Sequence, residues 1–126
     1  MISSCHDFSS FLALRETFAF WKERGARAIL KRLSELQAHT RAEAARLLPW
    51  PSLSASKGPL AGPLLSYELP PERARLGYDW MFQLLERHGL QVSVPPITGR
   101  HCLRLSPHIH NSEKEITRGI EILAQA

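Results

Sequence analysis

The chain has 126 residues, 44% of them hydrophobic, with 16 lysines and arginines against 12 aspartates and glutamates for a net charge of +4. That length supports one hydrophobic core and gives no reason to expect two domains. Basic residues such as Arg15, Lys22, Arg24 and Arg32 are interleaved with Glu16, Glu23 and Glu35, which is the pattern of solvated helix faces. It lacks the coherent basic stripe with stacking aromatics that nucleic-acid binding requires, so nucleic acid is not expected as a partner.

In chain order, Ser9 or Ser10 can cap a first helix running to Arg24, with Leu14, Phe18 and Trp21 on one face and Gly25 as its stop. A second helix follows from about Ala26 to Leu48, its stripe formed by Ile29, Leu33, Leu36 and Leu47 beside Leu30 and Ala44. Pro49 and Pro51 end it. Residues 49–63 mix proline, serine and glycine and form a surface connection. Leu64 to Leu69 then makes a short strand, and Pro70-Pro71 turns the chain into a third helix that buries Leu76, Trp80, Met81, Leu84 and Leu85 and is capped by Gly89. Gln91 to Val94 alternates as a strand. It can pair across Pro95-Pro96-Ile97-Thr98-Gly99 with the strand that carries Arg104.

The expected fold is therefore α+β: a small antiparallel or mixed sheet covered by helices, in the order ααβαββα. One unit spans 1–126, with a helical segment at 1–48, the connection at 49–63 and an αβ part at 64–126. No apolar run reaches the length of a membrane span. The two cysteines, Cys5 and Cys102, lie far apart, and Asp7 and Arg15 interrupt any apolar leader, so a cytoplasmic setting is expected.

The last strand and helix carry the densest information. Leu103 and Leu105 flank Arg104 with period two, which sends both leucines to one face of a sheet and the guanidinium to the other. An arginine on an otherwise apolar strand needs a partner, and within the chain an ion pair with Glu68 or Glu113 would supply one. Ser112 followed by Glu115 is a capping box, and Ile116, Ile120 and Leu123 continue as a helical stripe.

This stretch, with Arg104 and Ser106 on the strand and Ile109, Asn111 and Ser112 in the turn, resembles the C-terminal end of class V aminotransferases. These are fold-type I pyridoxal-phosphate enzymes that include cysteine desulfurases and isopenicillin N epimerase-like proteins. His110 stands where that family usually has tyrosine. Upstream, the run Asp7 to Leu14 is similar to an epimerase-like segment, with Ser4-Cys5 in place of a Gly-Thr that helps bind phosphate. The resemblance implies the family's C-terminal small domain, in which Arg104 would grip the substrate α-carboxylate. It also implies a partner, either the large pyridoxal-phosphate domain or a second copy of the chain.

The family's cofactor lysine follows a histidine in that large domain. The four lysines here, Lys22, Lys31, Lys57 and Lys114, follow no histidine, so no cofactor site, and no catalysis by this chain alone, is expected. Two other readings stay open: a free-standing interaction module that kept the fold, or one half of a split enzyme. Near Arg104, His101, Cys102, His108 and His110 invite a metal site. Zinc, however, needs three or four convergent ligands, and on a regular strand Cys102 points away from His101. Turn histidines and a packed cysteine are the expectation, and no metal is assigned.

Overall fold

In the structure, a computed structural model, residues 9–56, 58, 61–97 and 99–126 are described. Backbone contacts divide the chain at Arg32 and Leu33 into a unit of 1–32 and a unit of 33–126. The first holds α1 (Ser9–Leu12), α2 (Leu14–Arg24) and the start of α3 (Ala26–Leu47). The break between α1 and α2 is nominal. Ala13 keeps helical dihedrals, φ −70° and ψ −15°, and hydrogen bonds run through it from Ala13 N–H to the Ser9 carbonyl and from Thr17 N–H to the Ala13 carbonyl. The stop at Gly25 is real: its φ of 79° is left-handed, which glycine adopts without steric cost, and its N–H turns back to the Lys22 carbonyl.

On α3 and just beyond it the buried stripe is Ile29, Leu33, Leu36, Thr40, Ala44 and Leu48. Leu30 is mostly exposed, contrary to its expected place beside the stripe. Thr40 continues the stripe as a buried polar residue because its hydroxyl donates to the Leu36 carbonyl at 2.7 Å and needs no other partner.

The second unit adds β1 (Leu65–Glu68), α4 (Pro71–Leu76), α5 (Tyr78–His88), β2 (Pro96–Ile97), β3 (Arg100–Leu105) and α6 (Glu113–Gln125). The three strands form one antiparallel sheet in the order β1-β3-β2. This is the α+β fold expected from the sequence, with β3 at its centre. Leu65, Tyr67, Val94 and Leu103 make the buried side of the sheet, packed with Trp80 and Leu84 of α5 and Ile120 and Leu123 of α6.

The expected third helix is two. Gly77 interrupts it with φ 52° and ψ −117°, and a Cβ there would come within 2.9 Å of the His101 ring. Leu76 and Leu85, expected in the core from a continuous stripe, are 39% and 44% exposed while Trp80 and Leu84 stay buried.

Gln91 to Val94 does not form a continuous strand. Ser93 alone bridges to Arg104, and the regular pairing is Pro96 with His101 and Ile97 with Arg100. All three pairs keep one register, and Cys102 N–H reaches the Pro95 carbonyl at 3.1 Å within it. The pairing partner of β3 is therefore the expected segment, but the regular ladder lies at Pro96–Ile97, inside the stretch expected to be the turn, and only Ser93 of the expected strand bridges to β3. On the other edge, residues of the connection run beside β1. Leu53 N–H donates to the Ser66 carbonyl at 2.8 Å and Glu68 N–H to the Pro51 carbonyl at 2.9 Å, so that edge is covered rather than open.

Candidate functional site

Arg104 lies on the central strand, and its cross-strand neighbours are Ser66 on β1 and Ser93 beside β2. Directly opposed residues share a face of the sheet. The guanidinium stem is therefore flanked on both sides by small side chains that leave it room, on the face turned away from Leu103 and Tyr67. The strand is not a strict alternation: Cys102 and Leu103 are both buried, at 3% and fully covered. Cys102 is a free, packed thiol.

The Nε of Arg104 is buried and has no hydrogen-bond acceptor, while the residue as a whole remains partly exposed. No ion pair joins Arg104 to any described residue. Glu68, one of its two candidate partners, is held instead by Arg100 at 2.8 Å, an exposed contact. A buried N–H left without an acceptor costs on the order of 1 to 3 kcal/mol. Arg104 carries that cost.

Beyond β3 the chain turns through Ser106 to Ser112. Asn111 stabilises this turn by accepting from His108 N–H at 2.9 Å through Oδ1 and donating its own N–H to the His108 carbonyl. The His108 and His110 rings stand 5.3 Å apart. Among the described residues no three histidines, cysteines or carboxylates converge as a metal set.

The capping box is formed as expected: Ser112 Oγ accepts from Glu115 N–H at 3.2 Å, and a Glu115 carboxylate oxygen accepts from Ser112 N–H at 2.7 Å. Those hydrogen bonds from Ser112, the backbone one first, hold the Glu115 carboxyl below the usual carboxylate range. The sequence points to this helix start directly, because all its partners lie within four residues.

A cleft of about 520 Å³ opens at this end of the sheet. Arg104 and Leu105, on opposite faces of β3, both border it, with α6 forming one wall and the segment after α5 another. His88, Arg118 and Gly119 also line it, and none of these was singled out from the sequence. No local pattern marks them; only the return of α6 onto residues 88–92 brings them together.

Lys22, Lys31 and Lys114 are exposed on α2, α3 and α6, and no lysine is among the residues of the cleft. Lys57, and the upstream signals at Ser4, Cys5 and Asp7, lie outside the described residues.

No known protein family matches the chain, and no curated protein does. Among solved structures, the chain is similar to 8-amino-7-oxononanoate synthase from Francisella tularensis, with a TM-score of 0.56 and 20% identity. The likeness covers 75% of this chain and 26% of the synthase, so the chain spans about a quarter of the protein it matches. The shared feature is the fold, a three-stranded antiparallel sheet with helices.

Proposed function

We propose that the chain serves as the C-terminal small domain of a class V aminotransferase-like enzyme of the isopenicillin N epimerase-like branch, and that Arg104 is its substrate-carboxylate arginine. The observation that carries this reading is the state of Arg104: central strand, serines on both sides, and, among the described residues, no carboxylate partner and no acceptor for its buried Nε–H. A planar guanidinium matches a carboxylate with two parallel hydrogen bonds, which an incoming amino acid would supply. The small-domain fold supports the same reading.

The partner is a large pyridoxal-phosphate domain, in the same or another polypeptide, or a second copy of the chain. Pyridoxal phosphate would supply the electron sink of the chemistry, held by that large domain rather than by the described residues. This chain's part is to orient the substrate through its carboxylate.

The test has three parts. Incubating the chain with pyridoxal phosphate should leave no stoichiometric adduct that survives gel filtration; a specific adduct mapped to one lysine would overturn the assignment. Reading the nucleotide sequence around the gene should reveal a frame encoding a His-Lys pair ahead of a glycine-rich loop. Co-production of the two should give a complex whose amino-acid binding is lost in Arg104→Ala and only partly kept in Arg104→Lys.

A further inference from the structure

The cleft beside β3 has an apolar floor and a polar rim, and the rim carries a cation with no ion-pair partner among the described residues. Val92, Ile120 and Leu123 form buried parts of the floor, with Leu90 and Ile116 half-buried beside them. Arg118 stands exposed on the α6 wall, one turn after Glu115. A glutamate three residues before an arginine is a natural helix ion pair. Here the pair does not form, because the Glu115 carboxylate is turned back to the start of its own helix, where Ser112 N–H and Oγ hold it at 2.7 and 3.0 Å. Among the described residues Arg118 has no ion-pair partner. His88, at the end of α5, is the other titratable group on the rim besides Arg104, Glu115 and Arg118.

The wall is closely fitted at Gly119, where an added Cβ would stand 3.3 Å from Leu90 Cδ1. Helix and loop therefore meet there, and the space on either side is a cleft with a built floor rather than a loose gap. Its size falls within the roughly 300 to 1,000 Å³ typical of small-molecule sites, which combine apolar lining with a few placed polar groups.

We propose that this cleft is a binding site for a small amphipathic carboxylate, with Arg118 gripping the carboxylate and the floor between Leu90, Ile116 and Leu123 holding the apolar body. Arg104 borders the same cleft from β3, whereas Arg118 stands on the α6 wall; the proposal assigns the carboxylate of this ligand to Arg118.

The experiment is a titration of the isotopically labelled chain with hexanoate, hexan-1-ol and acetate at matched ionic strength, followed by amide chemical shifts. Hexanoate should perturb Leu90, Ile116 and Gly119 and bind about tenfold more tightly than either hexan-1-ol, which lacks the charge, or acetate, which lacks the body. Arg118→Gln, at an exposed position, should erase the advantage of hexanoate over hexan-1-ol while leaving the hexan-1-ol shifts in the same place. An unchanged hexanoate affinity in Arg118→Gln would overturn the proposal. Shifts confined to Ser66 and Ser93 would place the probe with Arg104; they would overturn the cleft site while favouring the clamp. Shifts confined to α1 and α2 would show adsorption to exposed aromatics and overturn the cleft site as well.

Discussion

At the scale of single residues, Arg104 separates two kinds of strand arginine. One that neutralises a buried carboxylate is costly to remove, on the order of 3 to 5 kcal/mol, because the carboxylate is stranded. Among the described residues Arg104 has no such partner, so Arg104→Ala should change the unfolding free energy by about 0.5 kcal/mol or less, as surface substitutions do. Arg104→Met, which keeps the stem and removes the orphaned donor, should be neutral or stabilising. Leu103→Ala provides the scale from the neighbouring position, since a fully covered leucine truncated to alanine costs about 2 to 5 kcal/mol. Urea unfolding of the three variants checks the ranking, and a loss for Arg104→Ala approaching that of Leu103→Ala would contradict an open clamp. That the arginine stands opposite its leucine neighbours was legible from period two alone. That serines flank it was not, because the pairing of Ser66 and Ser93 with Arg104 depends on register between segments far apart in sequence.

At the scale of elements, Gly77 decides where the third helix breaks. Its position among Leu76, Tyr78 and Trp80 looks helical, and a lone glycine inside an apolar stripe signals only a modest loss of helix propensity. The physical reason for the break is tertiary: α4 passes so close to β3 that the His101 ring occupies the space of a Cβ. Gly77→Ala should therefore cost about 1 to 3 kcal/mol from backbone strain, with an added penalty from the ring. Pairing it with His101→Ala should recover the ring's part and leave the backbone's part, so thermal melts of the two single variants and the double variant should be non-additive. Strict additivity would mean that the close approach has no energetic consequence. Gly25 and Gly89, by contrast, end their helices as local sequence indicates, each with positive φ and its N–H turned back on the last turn.

At the scale of the whole molecule, the first helices carry exposed apolar surface. Phe11 is 66% exposed, Phe18 69% and Phe20 45%, and α2 buries none of its residues. Aromatic surface of this kind promotes association. Concentration-dependent sedimentation and enhanced fluorescence of a hydrophobic dye are the expected results, and Phe11→Ser with Phe18→Ser should reduce both without lowering the melting temperature. A monodisperse monomer without dye signal at high concentration would speak for a free-standing module instead. Among the described residues, no helix is long and apolar enough to cross a membrane.

Contiguous residues determined the start of α6, the stops at Gly25 and Gly89, the apolar stripes and the α+β order, because caps, turns and periodicity act within one or two helical turns. Tertiary structure decided the rest: the Gly77 break, the sealing of Arg104 Nε, the pairing of Glu68 with Arg100 instead of Arg104, and the cleft that exposes Arg118. Each of these depends on which distant segments share a surface, and burial and Coulomb interactions act through space rather than along the chain.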